Sequence, residues 1–174
     1  MYLSGPMQGF VRHWGEMGTR WSVNRSVAQI HALLLLADRP LPADEIVETL
    51  SIARSNVSNS LKELQTYRLV DLVHIAGDRR DHFVAKPDPW DMLIAIIEER
   101  KRRELDPTIE MLRDCAAEAE ADTGTPVAAR KRLAEIRDFV GELDQLYGRL
   151  LRLPRSRLRR ILKLGDRIIG LLQR

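Results

Sequence analysis

Only one stretch of the chain reads as β-structure, and the rest must be arranged around it. From Leu69 to Ala76 the sequence is LVDLVHIA, with apolar or β-branched side chains at Val70, Leu72, Val73 and Ile75. Gly77-Asp78 supplies turn chemistry, and His82 to Ala85 forms a return strand before Pro87. Two strands alone are marginal in water, so this hairpin has to lean on helices. The remaining pattern is helical. Met7 to Trp21 spaces Phe10, Val11, Trp14, Met17 and Trp21 at three- and four-residue intervals. Ser22 or Asn24 suits the cap of a second helix through Val27, Ile30, Leu33, Leu34 and Ala37. That helix is apolar on most sides near its end, which predicts a central core helix.

Asp38-Arg39-Pro40 stops it, and a short helix follows over Ala43 to Leu50, with Ile46, Val47 and Leu50 inward. Asp44 and Glu45 fall in its first turn, where the helix dipole favours acids. A further helix from Arg54 to Tyr67 buries Val57, Leu61 and Leu64. Beyond the hairpin, Asp88-Pro89 is a strong helix start, with Asp as cap and Pro at the first helical position. Asp106-Pro107 repeats the signal and either starts another helix or kinks the same one. Residues 122–126, DTGTP, read as a linker. Then Leu133, Ile136, Val140, Leu143, Tyr147 and Leu150 form a heptad-like seam. After Pro154 a last basic amphipathic helix carries Leu158, Ile161 and Ile168 on its apolar side. The division expected is a domain over 1–87 and a helical dimerisation region over 88–174.

Composition excludes several classes. With 44% apolar and 30% charged residues in 174, the chain has enough material for a core and is too apolar to be disordered. The longest apolar run, Ile30 to Ala37 around His31, is far short of a membrane span. One cysteine, Cys115, excludes an intrachain disulfide framework, and no Cys/His cluster has zinc-ligand spacing. No secretory pattern opens the sequence, so the expected compartment is the cytoplasm. No nucleophile–base pair, paired carboxylates or phosphate-binding Gly loop appears, so neither an enzyme nor a bound cofactor is expected. The charge is uneven: residues 125–174 carry 13 Lys and Arg against 5 Asp and Glu.

The informative unit is 41–86: helix, tight turn, helix, hairpin. Arg54, Ser55, Asn56, Ser58, Asn59 and Lys62 lie opposite the apolar side of the second helix. Short hydroxyl and amide side chains have low helix propensity, and a purely structural helix would carry Glu, Lys or Ala there. Near a helix N-terminus these residues suit major-groove reading: Arg pairs with guanine O6/N7, Asn with adenine N6/N7, and Ser with either or with phosphate. Arg79 and Arg80 at the hairpin tip are placed to grip backbone or enter a minor groove. The fold class expected is mostly α with a small β-hairpin wing: a winged helix-turn-helix plus long dimerisation helices.

The stretch PLPADEIVETLSIARSNVSNSLKELQTYRLVDLVHIAGDRRDHFVAK resembles the winged-helix DNA-binding domain of MarR-type transcriptional regulators. GDRRDHFVAKPDPWDMLIAIIEERKRRELDPTIEMLR is similar to the GbsR branch, named for repression of glycine-betaine synthesis. The resemblance implies a homodimer, a recognition helix over Arg54–Tyr67 and a wing at Gly77–Arg80. Two positions depart from the pattern. Where Gly usually makes the turn and Ser or Thr caps the recognition helix, this chain has Ser51 and Ala53.

Charge argues the other way, since residues 41–86 hold 6 Lys and Arg against 7 Asp and Glu, and non-specific affinity comes mainly from phosphate neutralisation. Two function classes therefore stand: a DNA-binding regulator, expected to be a repressor acting on a palindromic operator, and a winged-helix adaptor that binds protein instead. Double-stranded DNA and a second copy of the chain are the expected partners; a membrane is not. For a small effector, Trp14, Trp21, Tyr67, Phe83 and Trp90 are candidates for an aromatic cage around a quaternary ammonium ion, set against the ordinary reading of tryptophans at helical spacing as core. His31 reads as a satisfied core histidine and Cys115 as inert. The dimer is expected to close through the 133–150 seam and the apolar side of the last helix.

Overall fold

The apolar run around His31 becomes the centre of the fold. The computed structural model describes residues 1–154, 156–158, 160 and 164. The elements run α1 (Gly5–Arg20), α2 (Arg25–Leu36), β1 (Leu41–Pro42), α3 (Ala43–Leu50), α4 (Arg54–Thr66), β2 (Val70–Val73), β3 (His82–Ala85) and α5 (Pro89–Arg100). A π-helical turn (Lys101–Leu105), α6 (Asp106–Ala121) and α7 (Val127–Leu151) complete them. The chain divides into two compact units, Met1–Ile97 and Glu98–Arg174. Among the described residues no helix is long and apolar enough to cross a membrane. Nor does any group of three or more His, Cys, Asp or Glu among them have the arrangement to hold a metal ion.

In the first unit, the Asn24 side chain caps α2 by accepting a hydrogen bond from the Ser26 amide at 2.8 Å. Ile30, Ala32 and Leu33 of α2 are fully buried. They meet Ile46 of α3, Val57, Leu61 and Leu64 of α4, and Val70, Phe83 and Ala85 of the sheet in one apolar core. α1 begins two residues before the expected Met7, since Pro6 fits the first turn of a helix. It packs on α2 through glycine: a Cβ placed on Gly18 would lie 2.5 Å from Ala28 Cβ. Met92, Ala95 and Ile96 of α5 also pack on this core, which carries the unit past residue 87 and into α5.

The sheet has three strands in the order β1-β3-β2, all antiparallel. The sequence pattern gives no sign of β1. It is two residues long, one of them proline, and too short to show any alternation. Leu41 pairs with Phe83 and Pro42 with His82, which puts proline on an edge strand, the place where a sheet tolerates it. The hairpin arms pair from Val70↔Ala85 to Val73↔His82, leaving residues 74–81 as the wing loop around Gly77, whose φ of +85° is in the region that favours glycine. Mostly helical, with this small antiparallel sheet as its wing, the chain is a winged helix-turn-helix.

In the second unit, Asp106-Pro107 opens α6 directly from a π-helical turn. Proline removes the N–H that an α-helical ladder would need, and the wider turn absorbs the mismatch. Lys101 in that turn pairs with Asp106 of α6 and, at 2.8 Å, with Asp144 of α7, while its ammonium lies 6.0 Å from the Tyr147 ring centroid. Asp122 organises the 122–126 connection: its carboxylate accepts from the Gly124 amide at 3.0 Å and from the Thr125 hydroxyl at 2.5 Å. α6 buries Ile109, Ala116 and Ala119.

The expected 133–150 seam is divided. Leu133, Val140, Tyr147 and Leu150 are half-buried, whereas Ile136 and Leu143 are exposed and line up with Phe139 and Leu146 at spacings of three, four and three. Phe139 is 60% exposed and Leu146 54%. Two apolar stripes overlap along α7, and a single heptad drawn through the sequence took members of both. Leu158 is half-buried; Ile161 and Ile168 lie outside the described residues.

Candidate nucleic-acid interface

The turn between α3 and α4 sets the geometry of the site. Ser51 closes α3 with φ 53° and ψ 39°, a left-handed conformation that glycine takes without strain. Ala53 then stands at the N-cap of α4 and makes no side-chain cap bond, as the departure at that position predicted. The first amides of α4 are left without an intrahelical partner. Val57, Ser60, Leu61 and Leu64 turn inward and fix the helix against the core.

Its opposite side carries all six expected residues. Arg54, Ser55, Asn56, Ser58, Asn59 and Lys62 are exposed. The Arg54 guanidinium forms an ion pair with Asp44 in the first turn of α3. Among the described residues, the side chains of the other five take no hydrogen bond or ion pair within the chain.

In the wing, Arg79 and Arg80 are both exposed but differently engaged. Arg80 reaches back to Asp78, Nη2 to Oδ2 at 2.5 Å and Nε to Oδ1 at 3.0 Å, and its own amide donates to the same carboxylate. The Arg80 side chain, then its backbone amide, hold the Asp78 carboxyl well below the usual carboxylate range. Beneath them His82 is buried, with Nδ1 2.9 Å from the Arg80 carbonyl oxygen and Nε2 3.4 Å from Asp78 Oδ2. Arg79 has no such acid partner among the described residues.

α3, α4 and the wing enclose a groove of about 380 Å³. Leu61, Leu72 and Phe83 give it an apolar floor, and Arg54, Lys62 and Arg80 face Asp44 and Asp81 around it. Two of the four expected cations are therefore matched by acids of the chain itself. Nothing local in the sequence marks Asp44 and Asp78 for these contacts. Asp44 lies ten residues from Arg54 across a turn, a separation with no periodic signal.

The five aromatic candidates are spread over α1, the end of α4, β3 and α5. Trp14 of α1 lies against Phe10 (ring centroids 5.1 Å apart) and His31 (6.3 Å). Trp21 ends α1 and is 53% exposed. Tyr67 follows α4 and donates its hydroxyl to Glu63 at 2.7 Å, and Trp90 sits in the first turn of α5, its amide bonded to Asp88. Phe83 is buried in the core and borders the groove, which takes in none of the other four. His31 is buried as expected, but among the described residues its Nε2 has no partner, which departs from the satisfied core histidine the pattern suggested. Cys115 is half-buried, its sulfur 3.6 Å from that of Met111.

This arrangement of helices and wing can be compared with known proteins. Residues 23–81 match the MarR family model. The matched segment runs from just before α2 to the end of the wing loop, and so contains α3, the turn, α4 and the exposed polar row. A crystal structure of a transcriptional regulator superposes with a TM-score of 0.58 at 21% identity, covering 91% of this chain and 99% of that one. It shares the fold. A mutant of MepR from S. aureus bound to an oligodeoxyribonucleotide gives 0.39 at 15% identity over 67% of this chain and 88% of that one. The transcriptional regulator Tm0710 from Thermotoga maritima gives 0.37 at 15%, covering 86% and 94%. No curated protein matches the sequence.

Proposed function

We propose that the chain is a sequence-specific DNA-binding transcriptional regulator of the MarR type, a cytoplasmic repressor in the GbsR-like branch that binds a palindromic operator as a homodimer. The observation that carries this reading is the exposed row of Arg54, Ser55, Asn56, Ser58, Asn59 and Lys62 on a helix whose other side is locked into the core. Such a helix presents base-reading groups on a rigid support. The open first turn of α4 adds amides suited to a phosphate oxygen, and Arg79 extends the contact from the wing. The match of residues 23–81 to the MarR family model supports the same reading. The role is one of binding and not of catalysis. Control by a small effector belongs to the proposal as well.

In this reading each protomer lays residues 54–62 in a major groove, with half-sites about one helical turn (~34 Å) apart. Selection from a random duplex pool, followed by titration at low and moderate salt, is the direct test. Arg54→Ala is expected to lose roughly 10-fold or more against the selected sequence and to relax preference at one base position. Lys62→Ala should weaken all duplexes alike and flatten the salt slope by about one. An adaptor would bind no duplex in dilute buffer, and that result would end the proposal.

The second copy is expected on α7, where Ile136, Phe139, Leu143 and Leu146 form an apolar stripe exposed among the described residues. Phe139→Asp combined with Leu143→Asp should raise the dimer dissociation constant by about 100-fold, the loss expected for a central interface anchor. Light scattering across a dilution series measures it. An unchanged dimer would place the contact elsewhere.

A further inference from the structure

We infer that Asp44 is a specificity-determining residue of the DNA-reading surface: its carboxylate holds the Arg54 guanidinium in place of phosphate. The inference rests on the DNA-binding reading above. Asp44 stands in the first turn of α3, and Arg54 opens α4, so their ion pair crosses the helix-turn-helix. The pair is open to solvent, with Asp44 48% and Arg54 76% exposed. Asp44 also lies within electrostatic reach of Arg80 and borders the groove shared by Arg54, Lys62 and Arg80. The wing contact is of another kind: Asp78 and Arg80 are two residues apart in one loop, whereas Asp44 and Arg54 belong to different helices.

The consequence differs for the two kinds of DNA contact. A backbone phosphate approaching Arg54 must displace Asp44 and then sit beside a carboxylate, so neutralising the phosphate gains little. A guanine edge offers a neutral, bidentate acceptor that does not repel Asp44. Asp44 therefore subtracts from the sequence-independent part of the affinity more than from the sequence-dependent part, which widens the ratio between them. An acid in the first turn of a helix is ordinary; an acid there that also holds the first residue of the reading helix is what supports a specificity role.

The test compares full-length Asp44→Asn and Asp44→Glu with wild type on the selected duplex and on a scrambled duplex, each across a salt series. Asparagine retains the size and the helix-start chemistry without the charge; glutamate retains the charge. The expected result for Asp44→Asn is a roughly fivefold gain on scrambled duplex, a gain under twofold on the selected one, and a non-specific salt slope steeper by about one. Asp44→Glu should stay close to wild type. In an Arg54→Ala background the Asp44→Asn gain should shrink, because its partner is gone. Unchanged scrambled binding overturns the inference. So does a loss on the selected duplex as large as that of Arg54→Ala, which would make Asp44 a support for Arg54 and nothing more. Wild-type binding to any duplex decides the underlying reading separately; should wild type bind none, both fall.

Discussion

His31→Leu is expected to remove much of the acid sensitivity of the fold between pH 6.5 and pH 4. His31 is 4% exposed in α2, faces Trp14, and has an Nε2 with no partner among the described residues. Burial lowers its pKa from 6.5 to about 4. In the unfolded chain the imidazole takes a proton near pH 6.5; in the folded chain it stays neutral until near pH 4. The unfolded state thus binds more protons throughout that window, so stability is full above it and drains away as pH falls. A difference of that size corresponds to a few kcal/mol, about 3 at the acid end. Leucine has no proton to gain and also removes an unsatisfied buried nitrogen, worth roughly 1 kcal/mol at neutral pH. Urea unfolding at pH 7.5, 6, 5 and 4 would measure both, and the gap between variant and wild type should widen on acidification. Parallel curves would mean that His31 finds a proton acceptor in the folded protein.

The second large effect is at the contact between α1 and α2. Gly18→Leu should cost about 3 kcal/mol or more, and Gly18→Ala about 1, even though alanine is the better helix former. The cause is space: a Cβ at Gly18 would lie 2.5 Å from Ala28 Cβ, a short rigid side chain on a buried stretch of α2. Gly15 is the control. Its added Cβ would meet Gln29 Cγ at 2.6 Å and Arg25 Cγ at 3.2 Å, both on long side chains with other rotamers open to them. Gly15→Ala should stay within about 0.5 kcal/mol of wild type, the propensity gain offsetting the rearrangement. Melting temperatures of the three variants settle it; equal losses at Gly15 and Gly18 would show that the helices are not held at this distance.

Much of the first unit was legible in the sequence because its signals were local. α3 occupies Ala43–Leu50 as read, α4 begins at Arg54, and Asp88-Pro89 opens α5 with the aspartate accepting from the Trp90 amide at 2.8 Å. Capping chemistry and apolar spacing act within one or two turns, so a single sequence displays them. What escaped was long-range or too short to have a period. β1 is two residues and exists only because β3 comes to meet it. The exposed stripe through Phe139 and Leu146 separates from the half-buried one only once α7 has something to pack on. The exposed row on α4 was readable from composition, but the acids that hold Arg54 and Arg80 were not. The helix dipole accounts for Asp44 and the turn for Asp78 without either contact, and the placing of Asp44 on the first helix does not show that it reaches Arg54.

The short strand β1 has a mechanical consequence. Pro42 is at once the last rung of the sheet, opposite His82, and the residue from which α3 departs. A pull on the hairpin loop is therefore delivered across the ladder to the root of α3 with no slack segment between. Hairpin and helix pair are thereby joined at one residue, so a load applied at the tip is expected to reach the helix that stands next to it.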